Sequence, residues 1–157
     1  MKTILFKRAK EQLTYNGKTI WAWNKVRSLA NKRRLLVEVV FSEPITGNPM
    51  PYDPKLFPLG TWDVYQPVAK DVSNKYLHPF FIPTTAKQTV TTYSTADGMY
   101  LKPIGTQMDG GYGIHFSTSD TTLGCIRVAY EKDLIELANW ITDQLRAGEK
   151  IQLTVME

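Results

Sequence analysis

Cysteine and histidine are scarce in this chain of 157 residues, which contains one cysteine, Cys125, and two histidines, His78 and His115. A single thiol cannot form an intrachain disulfide, so it packs in the core, links the chain to a partner or takes part in chemistry. The three side chains have no recognised zinc-binding spacing, and no glycine-rich phosphate-binding loop is present. We therefore expect neither a metal nor another cofactor.

Long apolar runs are also missing. No stretch approaches the roughly 20 residues that a membrane-spanning helix needs, so we expect no membrane span. The first eight residues carry charges where a signal peptide has its apolar stretch. The chain as given therefore does not encode export by the ordinary secretory route. A trimmed signal, a specialised secretion route or release by lysis would all be compatible with it.

The excess of positive charge is small. The chain has 19 Lys+Arg and 15 Asp+Glu, a formal net charge of +4. This excess suits an acidic substrate but is weak evidence for nucleic acid, which we do not expect as a partner. Five of the basic residues lie between positions 25 and 34, where they predict either a solvated face or a docking patch.

The pattern of short apolar segments favours a mainly β fold in a single domain, residues 1–157. Gly, Pro, Asn and Asp separate these segments, and the Asn16-Gly17 pair predicts a two-residue hairpin. A proline-rich stretch, Pro44–Pro58, predicts an irregular loop, and residues 22–33 could form a short helix. The predicted strands are Thr3–Phe6, Gln12–Tyr15, Thr19–Trp23, Leu35–Phe41, Thr61–Tyr65, Thr89–Ser94, Ile114–Phe116, Cys125–Val128 and Ile151–Val155.

One helix is predicted in the C-terminal half, over Glu131–Arg146. Acidic residues in its first turn favour the positive end of the helix dipole, and Gly148 provides a stop. The fold class that follows is a β-sandwich or barrel with a helix packed against it. The apolar stripe of the helix has a period of about 3.6 residues and consists of Leu134, Leu137, Ala138, Ile141 and Leu145.

Cys125 has a sequence context that favours chemistry. It lies ten residues after His115, in Thr122-Leu123-Gly124-Cys125-Ile126-Arg127. A thiol with a pKa of about 8.5 is mostly protonated at neutral pH, so a reactive cysteine needs a base or a nearby positive charge. Two short strands joined by a loop can bring positions 115 and 125 together. We therefore expect His115 to be the base and the pKa of Cys125 to lie below that of a free thiol. A buried structural cysteine is the alternative.

The neighbours of Cys125 fit this chemistry. Gly124 allows a bent backbone and close approach of a substrate, and the Cys125 amide could then form an oxyanion hole. Arg127 lies two residues on, so in a strand it shares a face with Cys125 and could favour the thiolate or hold a carboxylate. His78 lies in an apolar, proline-rich stretch, which predicts a structural role or a place in the cleft wall. Both histidines precede the cysteine, unlike in cysteine peptidases whose nucleophile comes first.

These residues resemble a known signature. Gly113-Ile114-His115 followed by Gly124-Cys125-Ile126-Arg127 is similar to the motif of the L,D-transpeptidase catalytic domain (the YkuD-type fold), usually Ile-His-Gly and then Ser-His-Gly-Cys-Ile-Arg or Asn. Phe57–Trp62 resembles the family's Thr-Pro-x-Gly-Thr-Phe segment. Residues 130–146 resemble its helix, and Ala147–Ile151 its closing strand. The resemblance extends from about residue 35 to the end.

The resemblance implies a peptidoglycan enzyme. Cys125 would attack the carbonyl of the L,D bond in a stem tetrapeptide and expel the terminal D-alanine, leaving a thioester. His115, oriented by a backbone carbonyl, would act as base and then as acid, and Gly124 and the Cys125 amide would supply the oxyanion donors. The acyl group would pass to an amine, to water or to a free D-amino acid. Action in the bacterial cell wall or periplasm follows.

The resemblance also suggests how substrate is held. We expect Arg127, Tyr112, Thr122 and Trp62 to contact the stem peptide. For the two aromatic residues, packing in the core is the alternative. Residues 84–113 correspond to a segment that forms a lid in family members, and an ordinary hairpin connection is the equally simple alternative.

Departures from the family motif leave other functions open. Thr122-Leu123 replaces the usual Ser-His, and Phe116 replaces a glycine. A binding module that keeps the fold without turnover, and an L,D-endopeptidase that cuts existing cross-links, are the alternatives. The chain shows no wall-binding repeat, which favours a compact hydrolytic or exchange enzyme delivered by a phage or secretion system. An immunity or delivery partner is left open.

Overall fold

The computed structural model describes residues 1–25, 55–74, 77–94, 102–117 and 124–157. These residues form eleven strands and one helix, and none of the described helical structure has the length and apolar character needed to cross a membrane. The strands are β1 (Lys2–Lys7), β2 (Gln12–Tyr15), β3 (Lys18–Trp23), β4 (Gly60–Asp63), β5 (Val68–Ala69), β6 (Phe80–Pro83), β7 (Gln88–Ser94), β8 (Lys102–Asp109), β9 (Gly113–Phe116), β10 (Ile126–Val128) and β11 (Ile151–Met156), and the helix is α1 (Glu131–Arg146).

Nine strands form one sheet in the order β4-β11-β1-β2-β3-β10-β9-β6-β5, and β7 and β8 form a separate hairpin. Strand β1 runs parallel to β11, and β9 runs parallel to β10. Strands β4 and β6 lie near opposite ends of the order, yet Val64 and Thr84, which directly follow them, form a β-bridge. The sheet therefore curls so that its two ends approach each other.

The hairpin between β2 and β3 forms as the sequence predicts. Asn16 and Gly17 both have positive φ, at 47° and 74°, and Tyr15 pairs with Lys18 across the turn. A type I′ turn needs positive φ at both central residues, a conformation that asparagine and glycine adopt more easily than other residues. This turn fixes the register in which Ile20 and Ala22 enter the core.

Helix α1 has the predicted bounds and packs its apolar stripe against β6, β9, β10 and β11. Glu131 and Asp133 lie in the first turn, and Gly148, with φ of 82°, follows the C-terminal end. Trp140 extends the contact to Tyr15 on β2, with ring centroids 5.1 Å apart. The fully buried or nearly fully buried helix residues are Leu134, Leu137, Ala138 and Ile141.

The predicted fold class, mainly β with one helix in the C-terminal half, is confirmed for the described part of the chain. The short helix predicted over residues 22–33 is not formed at its start, because Ala22 and Trp23 pair with β10 as the end of β3. Residues 26–33, the predicted strand Leu35–Phe41 and residues 44–54 lie outside the described residues. Strands β5, β6 and β8 were not predicted.

Candidate active site

The parallel pair β9–β10 places His115 beside Arg127. Their register joins Ile114 to Ile126 and His115 to Arg127. Side chains alternate between the two faces of a strand, and Ile114 and Ile126 lie in the core under α1, so His115 and Arg127 lie on the opposite face. Both are almost covered, at 5% and 6% exposure. The face of these two strands that is turned away from α1 thus carries two basic side chains, His115 and Arg127, next to each other.

Cys125 lies one residue before β10, and the residue as a whole is partly exposed. Its sulfur accepts a hydrogen bond from the backbone N–H of Gly113 and lies 3.9 Å from the carbonyl oxygen of Gly111. Gly113 and Cys125 directly precede Ile114 and Ile126, the first pair of the parallel register, so this contact extends the register by one residue on each strand. His115 is two residues further along β9, on the same face, roughly 8 Å away from Cα to Cα for ideal strands. Side chains of this length can meet across that distance.

Burial controls the protonation of the thiol. It raises the pKa of Cys125 to about 11, although the Gly113 amide and the positive charge of Arg127 act in the opposite direction. The nearby carboxylate of Asp109 raises the pKa further. The prediction of a lowered pKa is therefore wrong, because desolvation of the sulfur outweighs the arginine that the sequence placed beside it. The resting site holds a neutral thiol.

A backbone carbonyl orients His115. Its Nδ1 lies 3.1 Å from the carbonyl oxygen of Phe116. Because a carbonyl oxygen only accepts hydrogen bonds, Nδ1 carries the proton, and the lone pair of the neutral imidazole is on Nε2. Nε2 is therefore the nitrogen that can take a proton. This contact matches the backbone carbonyl that the resemblance implies.

Gly124 is required by both conformation and space. Its φ of 129° is one that residues with a side chain rarely adopt. A Cβ atom at this position would overlap the ring of Tyr112 and lie 3.0 Å from the carbonyl oxygen of Lys55. Tyr112 itself is 2% exposed and packs edge-on against Phe57, so it supports the turn from behind. Thr122, the other residue predicted near this turn, lies outside the described residues.

A polar network joins Tyr112 to the base of the β7–β8 hairpin. The Tyr112 hydroxyl donates to Asp109 Oδ2 at 2.8 Å and accepts from Gln88 Nε2 at 2.9 Å. Thr84 Oγ1 donates to the Tyr112 carbonyl oxygen at 2.6 Å. Burial raises the pKa of Asp109, and the bond from Tyr112 acts against that rise. Sequence reasoning missed Asp109 and Gln88, since neither belongs to the cysteine–histidine motif.

Asn24 is a further site residue that no sequence pattern indicated. It follows β3 and is 6% exposed. Its side chain bonds to the backbone of Gly124, Cys125 and Phe57. The only local signal is a polar residue at the end of an aromatic strand, which does not point to a partner 100 residues away.

The two remaining candidates are held by structural contacts. Trp62 lies on β4, which four strands separate from β10, and its indole N–H donates to the Pro58 carbonyl oxygen at 3.0 Å. His78 Nδ1 lies 2.9 Å from the Lys70 carbonyl oxygen, and Nε2 lies 3.8 Å from Glu131 at the start of α1. These contacts agree with a structural role for His78. Substrate binding by Trp62 stays a prediction.

The described ranges contain no group of three or more His, Cys, Asp or Glu side chains placed to hold a metal ion. The chemistry that the described site offers is that of a thiol, an imidazole, a guanidinium and backbone amides. Such a set supports acyl transfer by a cysteine nucleophile.

Comparison with known families agrees with the motif. The model of the YkuD family, described as the L,D-transpeptidase catalytic domain, matches residues 3–152. The match begins at β1, earlier than the point near residue 35 from which the resemblance is recognisable by inspection. Among curated proteins and among solved structures, none matches the chain.

Proposed function

Because the chain belongs to the L,D-transpeptidase catalytic domain family, whose function is directed at peptidoglycan, we propose that residues 1–157 form one catalytic domain. In this proposal, Cys125 cleaves the L,D bond of peptidoglycan stem tetrapeptides through a thioester. The observation that carries the proposal is that Cys125 directly precedes β10, whose parallel partner β9 carries His115, with Gly124 at a φ of 129° directly before the cysteine.

The first half-reaction forms the thioester. The Cys125 sulfur attacks the carbonyl carbon of the L,D bond while His115 Nε2 takes the thiol proton. The carbonyl oxygen becomes an oxyanion, which the backbone N–H of Cys125 stabilises. Collapse of this intermediate breaks the carbon–nitrogen bond. D-Alanine leaves with its amine protonated by His115, so the imidazole is neutral again at the end of the step.

The second half-reaction removes the acyl group. Water, a free D-amino acid or a cross-link amine approaches the thioester, and His115 takes its proton as it attacks. Collapse returns the proton to the sulfur. Transfer to water is an L,D-carboxypeptidase activity. Transfer to a free D-amino acid gives a modified stem peptide, and transfer to a cross-link amine gives a cross-link. We propose hydrolysis or exchange, because neither needs a second bulky stem peptide beside the thiol.

The raised pKa of Cys125 is compatible with this mechanism. A thiol with a pKa of about 11 is neutral in the resting site, so His115 must take the proton during attack and not before it. His115 is therefore proposed as a general base for a neutral thiol, in contrast to an imidazolium paired with a preformed thiolate. Arg127 acts to lower the pKa of Cys125, and we propose that it also contacts a substrate carboxylate.

Purified disaccharide tetrapeptides provide the test of the reaction. Incubation with the protein, followed by mass spectrometry, should show loss of one D-alanine, or its replacement when a D-amino acid is added. Cys125→Ala should give no product, and Ser73→Ala, an exchange at an exposed turn, should match wild type. Equal product from Cys125→Ala would refute the nucleophile assignment. Cleavage of dimeric muropeptides instead of tetrapeptides would identify an L,D-endopeptidase.

A binding module without turnover is the second candidate. Two observations favour it, namely the pKa of about 11 at Cys125 and Leu123 in place of the family histidine. This function predicts that wall fragments bind equally well to wild type and to Cys125→Ala, with no bond cleaved by either. The bacterial cell wall is the proposed site of action in both cases, and stem peptides are the proposed ligands.

A further inference from the structure

Asn24 forms three hydrogen bonds to the backbone around the nucleophile. Its Nδ2 donates to the carbonyl oxygen of Gly124 at 2.6 Å and to that of Cys125 at 3.0 Å. Its Oδ1 accepts from the backbone N–H of Phe57 at 2.5 Å. A side chain that is 6% exposed thus ties the end of β3 to the nucleophile turn and to the segment before β4.

The orientation of this amide follows from its partners. Two carbonyl oxygens can only accept, and one backbone N–H can only donate. If the amide were rotated by half a turn, Oδ1 would face both carbonyl oxygens and the amide hydrogens would face the N–H group of Phe57. Asn24 therefore presents two donors to the nucleophile turn, and a residue without two such donors cannot replace it there.

These bonds determine where the Cys125 amide points. In a planar trans peptide the C=O and the N–H point in opposite directions. Since Asn24 holds the Gly124 carbonyl oxygen, the N–H of Cys125 points away from Asn24. The same bonds help to hold Gly124 at its φ of 129°, a conformation that glycine adopts without a steric penalty.

We propose that Asn24 is a positioning residue that aims the Cys125 backbone N–H at the oxyanion formed during acyl transfer. The inference rests on the proposed function only in taking Cys125 as the group that is acylated. Asn24 does not touch the reacting atoms. It acts through the Gly124–Cys125 peptide, so its loss lowers the rate of reactions that form an oxyanion more than the rate of reactions that do not.

Two small reagents separate these effects without peptidoglycan. p-Nitrophenyl acetate acylates the thiol through a tetrahedral oxyanion, with a carbon–sulfur bond formed, p-nitrophenolate released and the thiol proton lost to the base. Iodoacetamide alkylates the same sulfur by displacing iodide and forms no oxyanion. The sulfur loses its proton in both reactions, so a change in the pKa of Cys125 affects both rates and largely cancels in their ratio. The ratio therefore reports on oxyanion stabilisation.

Asn24→Asp is the first variant, because aspartate keeps the shape and the acceptor for Phe57 but loses the donors to the turn. We expect the ratio of acylation to alkylation at Cys125 to fall about 100-fold, the usual effect of losing one oxyanion donor. Asn139→Asp makes the same chemical change at an exposed site on α1 and should leave the ratio at the wild-type value.

Asn24→Ala is the second variant, without the added charge, and it decides the matter if Asn24→Asp does not fold. Each ratio is measured at a temperature at which circular dichroism shows the variant folded. A ratio that stays within about threefold of wild type, whether both rates fall together or neither falls, overturns the proposal. Wild-type protein that reacts with p-nitrophenyl acetate but releases no D-alanine from tetrapeptides would refute the proposed function while leaving the role of Asn24 testable.

Discussion

The ring of Tyr112 occupies the space that a side chain at position 124 would need. A Cβ atom on Gly124 would overlap the edge of that ring, while the Gly124 backbone already adopts a φ of 129°. Tyr112 is held in turn by bonds to Asp109 and Gln88, so it has little freedom to move aside. Backbone conformation and packing therefore impose glycine independently at the residue before the nucleophile.

Gly124→Ala should accordingly lower the free energy of unfolding more than a glycine replacement that meets only backbone strain. Gly148 is the matched control, since its φ is 82° and no heavy atom lies within 4 Å of an added Cβ. We expect a loss of about 1–2 kcal/mol for Gly148→Ala from conformation alone. For Gly124→Ala we expect about 3–5 kcal/mol, because overpacking adds to the strain.

Urea denaturation of the two variants checks this difference. Gly124→Ala should also lose its reaction with substrate, whereas Gly148→Ala should keep it. Equal destabilisation by the two replacements would show that Tyr112 does not constrain the turn.

The raised pKa of Cys125 predicts an unusual pH profile for alkylation. With a pKa of about 11, the rate with iodoacetamide should rise about tenfold per pH unit from pH 7 to pH 10 without levelling off. The same thiol in urea-unfolded protein is the control, and its rate should level off above a pKa of about 8.5. A plateau near neutral pH in the folded protein would show a preformed thiolate–imidazolium pair.

Asp109 also influences the pKa of the Cys125 thiol. Its carboxylate raises the pKa of Cys125, so Asp109→Asn should lower that pKa and speed alkylation at pH 8 by about twofold to threefold. Asparagine can still accept the bond from the Tyr112 hydroxyl, which keeps the network in place. Asp143→Asn, on the exposed side of α1, removes the same charge elsewhere.

The measurement is the alkylation rate of the three proteins at one pH below the pKa of the thiol. A slower reaction in Asp109→Asn would contradict the sign of the charge effect. A change of the same size in Asp143→Asn would show that overall charge, and not the position of Asp109, controls the thiol.

Local patterns in the sequence predicted the elements whose cause is local. The β2–β3 hairpin follows from the conformational freedom of Asn16-Gly17, and α1 follows from its apolar period and first-turn charges. Strand β8 was missed because it contains Pro103 and Gly105 and has no alternating apolar pattern. It is a strand because it pairs with β7, a contact that its own residues do not reveal.

The same distinction applies to the site. His115, Gly124, Cys125 and Arg127 lie within 13 residues and could be recognised together from their spacing. Asn24 lies 100 residues from Gly124, so its hydrogen bond to the nucleophile turn can only be seen in the folded chain. The direction of the Cys125 pKa was also beyond the sequence, because it depends on how much of the sulfur the fold buries.

Intact-mass spectrometry of the protein after brief incubation with tetrapeptide tests the central claim most directly. Wild type should gain the mass of the stem peptide without its terminal D-alanine, and peptide mapping should place that mass on Cys125 as a thioester. Cys125→Ala should gain nothing. Release of D-alanine by Cys125→Ala, or an adduct on any residue other than Cys125, would contradict the account.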